Sequence, residues 1–334
     1  MEFSCCILPP RQPREMRAFA RLAEELGFDR FWVSDQTFHS DPFVMLLELA
    51  RYVRLPLGLA LTNPFTRHPA QIARAIATVR HLAPRPDWAF ALGAANPRHV
   101  LAPLGMPLRN AATQTGTALS VVRDLLAGNE VNCIDSRLDY RLEGIRLEIE
   151  PVTDVGLYLG TRGPRMLREG GARADGVIVE ALFAPEAVEW ARGEIRTGRA
   201  ESTLPGEPRY VAWQVTEVLA PGEAVPGHAA AFAKHLMSTT HDSVLARVGF
   251  SPELIATVKA DGAVADVPDW AVRRFAAVDT AEHLQAAVLA AQRAGAGAWS
   301  CSFSGSAEET AAGMKRFATE VIAPLRIEGM CMPA

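Results

Sequence analysis

No run of the 334 residues is both long and apolar enough to span a bilayer, which excludes a helical membrane bundle. Basic charge is not in excess. The 34 lysines and arginines face 38 aspartates and glutamates, for a formal net charge of -4, so the general electrostatic footprint of a nucleic-acid binder is missing. Cysteine is scarce and odd in number, at five. Two of these, Cys5 and Cys6, are adjacent, and a bond between neighbours would be badly strained. The thiols therefore read as reduced and the compartment as cytoplasmic. The opening MEFSCCILPP has no basic leader and only a brief apolar run. Low-complexity segments and short tandem repeats are absent as well. What is there is ordinary globular composition, 49% hydrophobic and 22% charged. That points to a soluble α/β enzyme and argues against a disordered or collagen-like chain.

The apolar residues come in a repeating beat. A strand over residues 3–8 stops at Pro9 and Pro10. A helical pattern follows, with Met16, Phe19, Ala20, Ala23 and Leu26 on one face and Arg17, Arg21, Glu24 and Glu25 on the other. Gly27 ends it. Strand 31–33 leads to Asp35. The cycle repeats with helix 42–52, strand 55–61, helix 69–82, strand 88–92 and a helix near 112–126. Segment 129–155 is richer in β-type and charged residues and reads as a hairpin-like excursion. Strand 156–159, helix 164–174, strand 176–179, helix 185–195 and strand 210–219 restore the beat. Residues 227–275 read as helical without strands, an inserted cap. Helix 280–294, strand 298–303 and helix 307–325 close the sequence. Near-continuous apolar strands between amphipathic helices mean a parallel sheet covered on both faces. Eight such strands fit one α/β domain over 1–334, a (β/α)8 TIM barrel with insertions after the fourth helix and before the last helices. An open doubly wound sheet is the competing layout.

In a parallel barrel the working residues sit where strands end and loops begin. This selects Ser34, Asp35, Gln36 and His39 after strand two, and Thr62, Asn63, Arg67 and His68 after strand three. It selects Gly93, Ala94 and onward to Arg98 after strand four, Thr161, Arg162 and Gly163 after strand five, and Glu180 after strand six. The most physical signal is LGTRGPRML, residues 159–167. A strand ends, residues 160–163 turn tightly, and Pro164 suits the first helical position. Unpaired backbone N–H groups at a positive helix end, beside Arg162, make a phosphate cradle. A plain strand-to-helix turn with Arg162 in solvent accounts for the same residues. In LGLALTNPFTRHP, residues 57–69, a ligand ring can lie flat against Ala60 and Leu61, with Thr62 and Asn63 as polar contacts. Equally, Asn63-Pro64 starts a turn and His68-Pro69 begins a helix.

FWVSD (31–35), LALTNPFTRHP (59–69), Leu92-Gly93, GTRGPRMLREGGARADGVIV (160–179) and the closing strand with its long helix resemble, in order, the luciferase-like flavin/deazaflavin oxidoreductase family. The likeness is greatest to the branch that uses the deazaflavin coenzyme F420, to which methylenetetrahydromethanopterin reductase belongs. TNPFTRHP and the preference for arginine over lysine lean toward F420 rather than FMN. The resemblance implies a tricyclic ring at the barrel mouth beside Asp35, Thr62, Asn63, Gly93 and Ala94. It implies a non-proline cis bond at Ala60-Leu61 against that ring. It also implies the cofactor phosphate on the backbone of Gly160, Thr161, Arg162 and Gly163. A homodimer through outer helices and a small-molecule substrate follow from the same likeness.

Some positions depart from the family pattern. Sugar-phosphate dehydrogenases of the F420 branch carry a histidine base directly after the strand-two aspartate. Here that position is Gln36, which does not titrate in a useful range. His39, three residues on, is the substitute candidate. The fourth loop reads LGAANPRHV, with Ala95, Pro97 and Arg98 in place of glycine, glycine and a carboxylate. Gln36 and Arg98 are the candidate substrate contacts, Arg98 for an anionic substrate or the acidic tail of the coenzyme. Glu180 is the candidate proton donor. Alternation turns one of Cys5 and Cys6 into the barrel. In the cap, His228, His235 and His241 lack a metal spacing with Cys or Asp partners, so no metal is expected. The expected chemistry is hydride transfer, with reduction of C=C, C=N or C=O favoured. The alternatives are an FMN-dependent monooxygenase of the same fold and a paralogue that has lost its cofactor.

Overall fold

The computed structural model describes residues 1–9, 11–260, 267–327 and 329. Strand β1 (Glu2–Ile7) is followed by α1 (Pro13–Glu25), β2 (Arg30–Val33), α2 (Pro42–Ala50), β3 (Leu57–Thr62), α3 (Pro69–Leu82), β4 (Ala89–Gly93) and α4 (Ala111–Leu126). An antiparallel hairpin, β5 (Val131–Cys133) with β6 (Leu142–Ile145), occupies the excursion. The alternation returns as β7 (Gly156–Gly160), α5 (Pro164–Arg173), β8 (Gly176–Glu180), α6 (Pro185–Arg199) and β9 (Arg209–Leu219). The cap is α7 (Gly227–Thr239), α8 (Asp242–Arg247), α9 (Pro252–Lys259) and α10 (Asp269–Phe275). Then come β10 (Ala277–Thr280), α11 (Ala281–Arg293), β11 (Ala298–Phe303) and α12 (Ala307–Phe317), which runs through a π-helical turn at Ala318–Ile322 into α13 (Ala323–Ile327).

Strands β1, β2, β3, β4, β7, β8, β9 and β11 pair in that order, and β11 returns to β1, all parallel. The β8–β9 pairing closes the sheet, so the barrel is correct and the open layout is not. Strand β10 lies between the helical cap and the next helix, in residues 277–280, where the sequence pattern assigns no strand and begins a helix at Thr280. It adds in parallel to residues 216–219 at the far end of β9. Its four residues, AVDT, are too few and too polar to announce a strand between two helices.

Strand alternation sorts the side chains into two layers. Cys5 joins the outer core between strands and helices. Cys6 points inward with Trp32, Tyr158, Ile178 and Trp213. Both thiols are fully buried, and burial pushes Cys6 up to about 12, which makes it packing rather than a nucleophile. Cys331 lies outside the described residues. The N-terminal end of the barrel is plugged. Glu2 accepts from Arg30 (3.4 Å) and Arg209 (2.9 Å), and Trp32 Nε1 donates to Ser4 Oγ at 3.1 Å. These paired charges fill the floor and leave the opposite mouth for a ligand.

The cap is tied down at several points. Arg274 pairs with Glu186 of α6. Arg247 lies over the Trp190 ring at 5.3 Å. Lys259 Nζ donates to the carbonyls of Ser238 (3.1 Å) and Thr240 (2.5 Å), a cation on the negative end of α7.

Candidate functional site

The mouth has an apolar platform built by Leu61. The Ala60–Leu61 peptide bond is cis, and β3 shifts register against β4 between Leu59 and Thr62. The Leu61 side chain lies over the ends of the two next strands. A Cβ on Gly160 would stand 2.3 Å from Leu61 Cδ2, and one on Gly93 would stand 2.7 Å from Leu61 Cδ1. Glycine at both strand ends leaves the room that Leu61 occupies in this rotamer. Ala60 is buried under this platform, and Ala94 is exposed just beyond it.

A polar edge lies beside it. The Asp35 side chain is 3% exposed and accepts from Thr62 Oγ1 at 2.8 Å and Arg67 Nε at 3.3 Å. Burial holds its carboxyl above the ordinary value, against the lowering effects of Thr62 and Arg67. A carboxyl raised in this way contributes stability below its unfolded-chain pKa and loses it as pH rises through the folded value. Relative to Asp35→Asn, the wild type is therefore expected to gain stability between pH 7 and about pH 4. Urea midpoints at the two pH values check this, and a gain for the variant instead would mean that the anion is the favoured form. Asn63 does a local job. Its Oδ1 accepts from Phe65 N, Thr66 N and Thr66 Oγ1 at 2.9–3.1 Å, an Asx-type turn. His68 caps α3 through Nδ1, which accepts from Ala70 N at 3.2 Å.

The turn into α5 is the third component. Thr161 N donates to Ile178 O at 2.9 Å, Gly163 N to Thr161 Oγ1 at 3.1 Å, and the helix proper begins with Leu167 N to Gly163 O at 2.9 Å. No side chain caps this helix, and a Cβ on Gly163 would meet nothing within 4 Å. The space beside the Gly163 Cα at this helix start is thus open, as an anion seat requires. Arg162 departs from the cradle reading. Its Nη1 pairs with Glu180 and its Nη2 donates to Thr239 Oγ1 of α7 at 2.9 Å. The two residues expected to bind phosphate and to donate a proton are bonded to each other, with the Glu180 carboxylate as acceptor.

The remaining candidates are scattered. Gln36 and His39 are exposed on the loop after β2, where His39 N donates to Gln36 O at 2.7 Å. Arg98 is exposed on a turn, Pro97–Leu101, that Asn96 opens by accepting from Arg98 N and His99 N at 3.0 Å each. The three cap histidines do separate work. His228 pairs with Glu217 at 3.1 Å, and His241 caps α8 by accepting from Ser243 N at 3.2 Å. His235 faces His99, ring centroids 5.2 Å apart. No local pattern in the sequence marks His99 or Thr239, because their contacts depend on where α7 lands.

A closed parallel barrel with loops and a cap gathered at its C-terminal end is an enzyme scaffold, and the chain belongs to the luciferase-like monooxygenase family, whose model spans residues 1–298. Among its relatives is the 5,10-methylenetetrahydromethanopterin reductase of Methanolobus tindarius, 26% identical over 267 residues, 79% of either chain. The F420-dependent glucose-6-phosphate dehydrogenase of Beutenbergia cavernae is 31% identical over 180 residues, 50% of this chain and 52% of that one. Among solved structures, the coenzyme F420-dependent tetrahydromethanopterin reductase of Methanopyrus kandleri matches with a TM-score of 0.79 at 19% identity. It covers 97% of this chain and 99% of its own. An F420-dependent secondary alcohol dehydrogenase holding an F420–acetone adduct gives 0.75 at 19% identity, covering 96% and 98%. These structural likenesses establish the (β/α)8 barrel.

Proposed function

We propose that this chain is an F420-dependent oxidoreductase that moves a hydride between the deazaflavin and a small organic substrate, with reduction of a C=C, C=N or C=O bond as its working direction. The observation that carries the reading is the uncapped start of α5 at Gly163, open to an anion, close to the Leu61 platform that suits a flat ring. Relatives named as a 5,10-methylenetetrahydromethanopterin reductase and an F420-dependent glucose-6-phosphate dehydrogenase support the choice of coenzyme. When bound, the deazaflavin supplies a hydride that needs only a well-stacked acceptor.

The residues divide the work. The first turn of α5 beyond Pro164 holds the coenzyme phosphate through backbone N–H groups, while the Gly163 N–H stays on Thr161 Oγ1 and its missing side chain leaves the space open. Leu61 backs one face of the ring, and Asp35 fixes the Thr62 hydroxyl at its edge. Glu180 orients Arg162 toward the cap rather than delivering a proton. The cap helices limit water at the mouth.

Separate titrations of the purified protein with F420 and FMN test this. F420 is expected to saturate with a Kd on the order of 1 μM and FMN to bind about tenfold more weakly or worse. Tighter FMN binding turns the reading into an oxygen-using monooxygenase. Binding of neither turns it into a paralogue without cofactor, as Ala95, Pro97 and Arg98 would then explain. Homodimerisation through outer helices and residence in the cytoplasm belong to the same proposal. A sedimentation mass of 36.1 kDa would remove the dimer.

A further inference from the structure

Three buried serines line the inner face of the barrel. Ser34 is 5% exposed, Ser302 is 2% exposed and Ser300 is fully buried, and none of their Oγ atoms meets a hydrogen-bond partner of ordinary geometry among the described residues. The strand period places them. Ala298 belongs to the inner layer, so Ser300 and Ser302 on the same strand face inward with it. Ser302 pairs in register with Cys6, itself of the inner layer, and Ser300 lies one layer deeper, opposite Ser4. Ser34 follows Trp32 by two residues and stands beside the Cys6 thiol, whose pKa it lowers; a thiol is a weak hydrogen-bonding group. Ser302 and Ser34 thus flank Cys6 where β11, β1 and β2 end at the mouth. Burying an unpartnered hydroxyl is costly. A serine without a hydrogen bond is also not held to one χ1 well, so its hydroxyl can be re-aimed.

The surroundings are apolar or neutral. Leu8 and Leu61, both partly exposed, pack against the same inner layer, and burial keeps the Cys6 thiol neutral. The charge felt at Cys6 is that of Glu180, which is bonded to Arg162. A second anion here would meet that carboxylate and exchange its water for hydroxyls and leucines. We infer that Ser34 and Ser302 seat an uncharged hydrogen-bonding group of the substrate, a carbonyl oxygen or an imine nitrogen, on the flank of the mouth formed by β11, β1 and β2. Strands β11 and β1 lie four strands round the barrel from β4 and β7, whose ends Leu61 covers, so the seat and the platform face each other. The assignment rests on the reading of the mouth as a hydride-transfer site, and it names the substrate class: a neutral carbonyl or imine compound with an apolar body. Each hydroxyl both donates and accepts, which suits either heteroatom.

The experiment uses cyclohexenone as the neutral probe and cyclohexenecarboxylate as its anionic counterpart, with saturation-transfer NMR on the protein with and without F420. Cyclohexenone is expected to bind and the carboxylate not to. Ser34→Ala and Ser302→Ala are each expected to weaken cyclohexenone about tenfold, and Ser300→Ala, one layer deeper, to leave it unchanged. Each of these variants is also expected to raise the thermal midpoint of the ligand-free protein by about 1 °C, because a buried hydroxyl without a partner is removed. Affinity lost while stability is gained supports a seat, since loss of a serine that only holds the barrel together would lower the midpoint. Cyclohexenone affinity that survives both Ser34→Ala and Ser302→Ala overturns the proposal, as does tighter binding of the carboxylate. F420 titrations of the same variants separate the substrate from the coenzyme. F420 affinity that falls while cyclohexenone affinity holds gives the hydroxyls to the polar edge of the coenzyme ring and overturns the proposal. Failure of wild type to bind F420 would sink the cofactor reading, while the cofactor-free titrations still decide the seat.

Discussion

Gly163→Asp is expected to weaken F420 binding on the order of 100-fold while the thermal midpoint of the free protein stays where it is or rises slightly. The backbone at Gly163 has φ -88° and ψ 146°, extended values open to any residue. An added Cβ meets nothing within 4 Å. The variant therefore folds without strain, and aspartate is a good residue at the start of a helix. The same property makes it destructive to binding. Its carboxylate accepts the first-turn N–H groups of α5 and places a negative charge where a phosphate would lie. Two such charges about 4 Å apart repel by several kcal/mol at an effective dielectric near 20, which is enough for the loss named. Gly163→Asn fills the same space without the charge and is expected to cost only about tenfold. Fluorescence titration gives the affinities, and thermal melts give the midpoints. If Gly163→Asp binds F420 as the wild type does, the helix start is not part of the site.

The barrel was legible because its signals are local. Met16, Phe19, Ala20 and Ala23 recur at helical spacing and are buried together, and prolines open α1, α2, α3, α5 and α6 as their fixed φ allows. The opposite fates of Cys5 and Cys6 followed from the two-residue period of a strand. What escaped reading depends on contacts between distant segments. AVDT becomes β10 only because the far end of β9 offers it a partner. Arg162 reads as a phosphate ligand until Glu180 and Thr239 arrive from other elements to bind it. His235 reads as one of three loose cap histidines until α7 lays it against His99. Gly93 and Gly160 read as contacts for the ring and the phosphate, and only the fold shows that the Leu61 side chain lies against both. Periodicity reports which face of an element is buried. It does not report which side chains of two buried faces meet, and the site is made of such meetings.

Gly198→Ala tests the support beneath the anion seat, and a net loss of about 2 kcal/mol in stability is expected. Helices α5 and α6 cross so closely that a Cβ on Gly198 would stand 1.9 Å from the Arg168 carbonyl oxygen. One on Gly171 would stand 2.0 Å from that of Ile195. Both obstacles are backbone, which cannot rotate aside as a leucine tip can. Replacing a helical glycine with alanine by itself gains at most about 1 kcal/mol, and less this near the helix end, whereas overpacking of this kind costs about 3 kcal/mol, so the clash decides the sign. Gly193 on the same helix supplies the control. A Cβ there meets nothing within 4 Å, and Gly193→Ala is expected to stabilise by about 1 kcal/mol. Urea denaturation of the two variants reads opposite shifts in midpoint. A shared gain would show that the helices are not in backbone contact. Because α5 carries Gly163 at its start, moving it off α6 also displaces the anion seat from the Leu61 platform. Saturating F420 should therefore recover less stability for Gly198→Ala than for Gly193→Ala, by mass action on a weakened Kd. Gly163 and Gly198 thus test two separate demands on α5: a start left open for the proposed anion seat, and a flank free to pack against the bare Gly198 of α6.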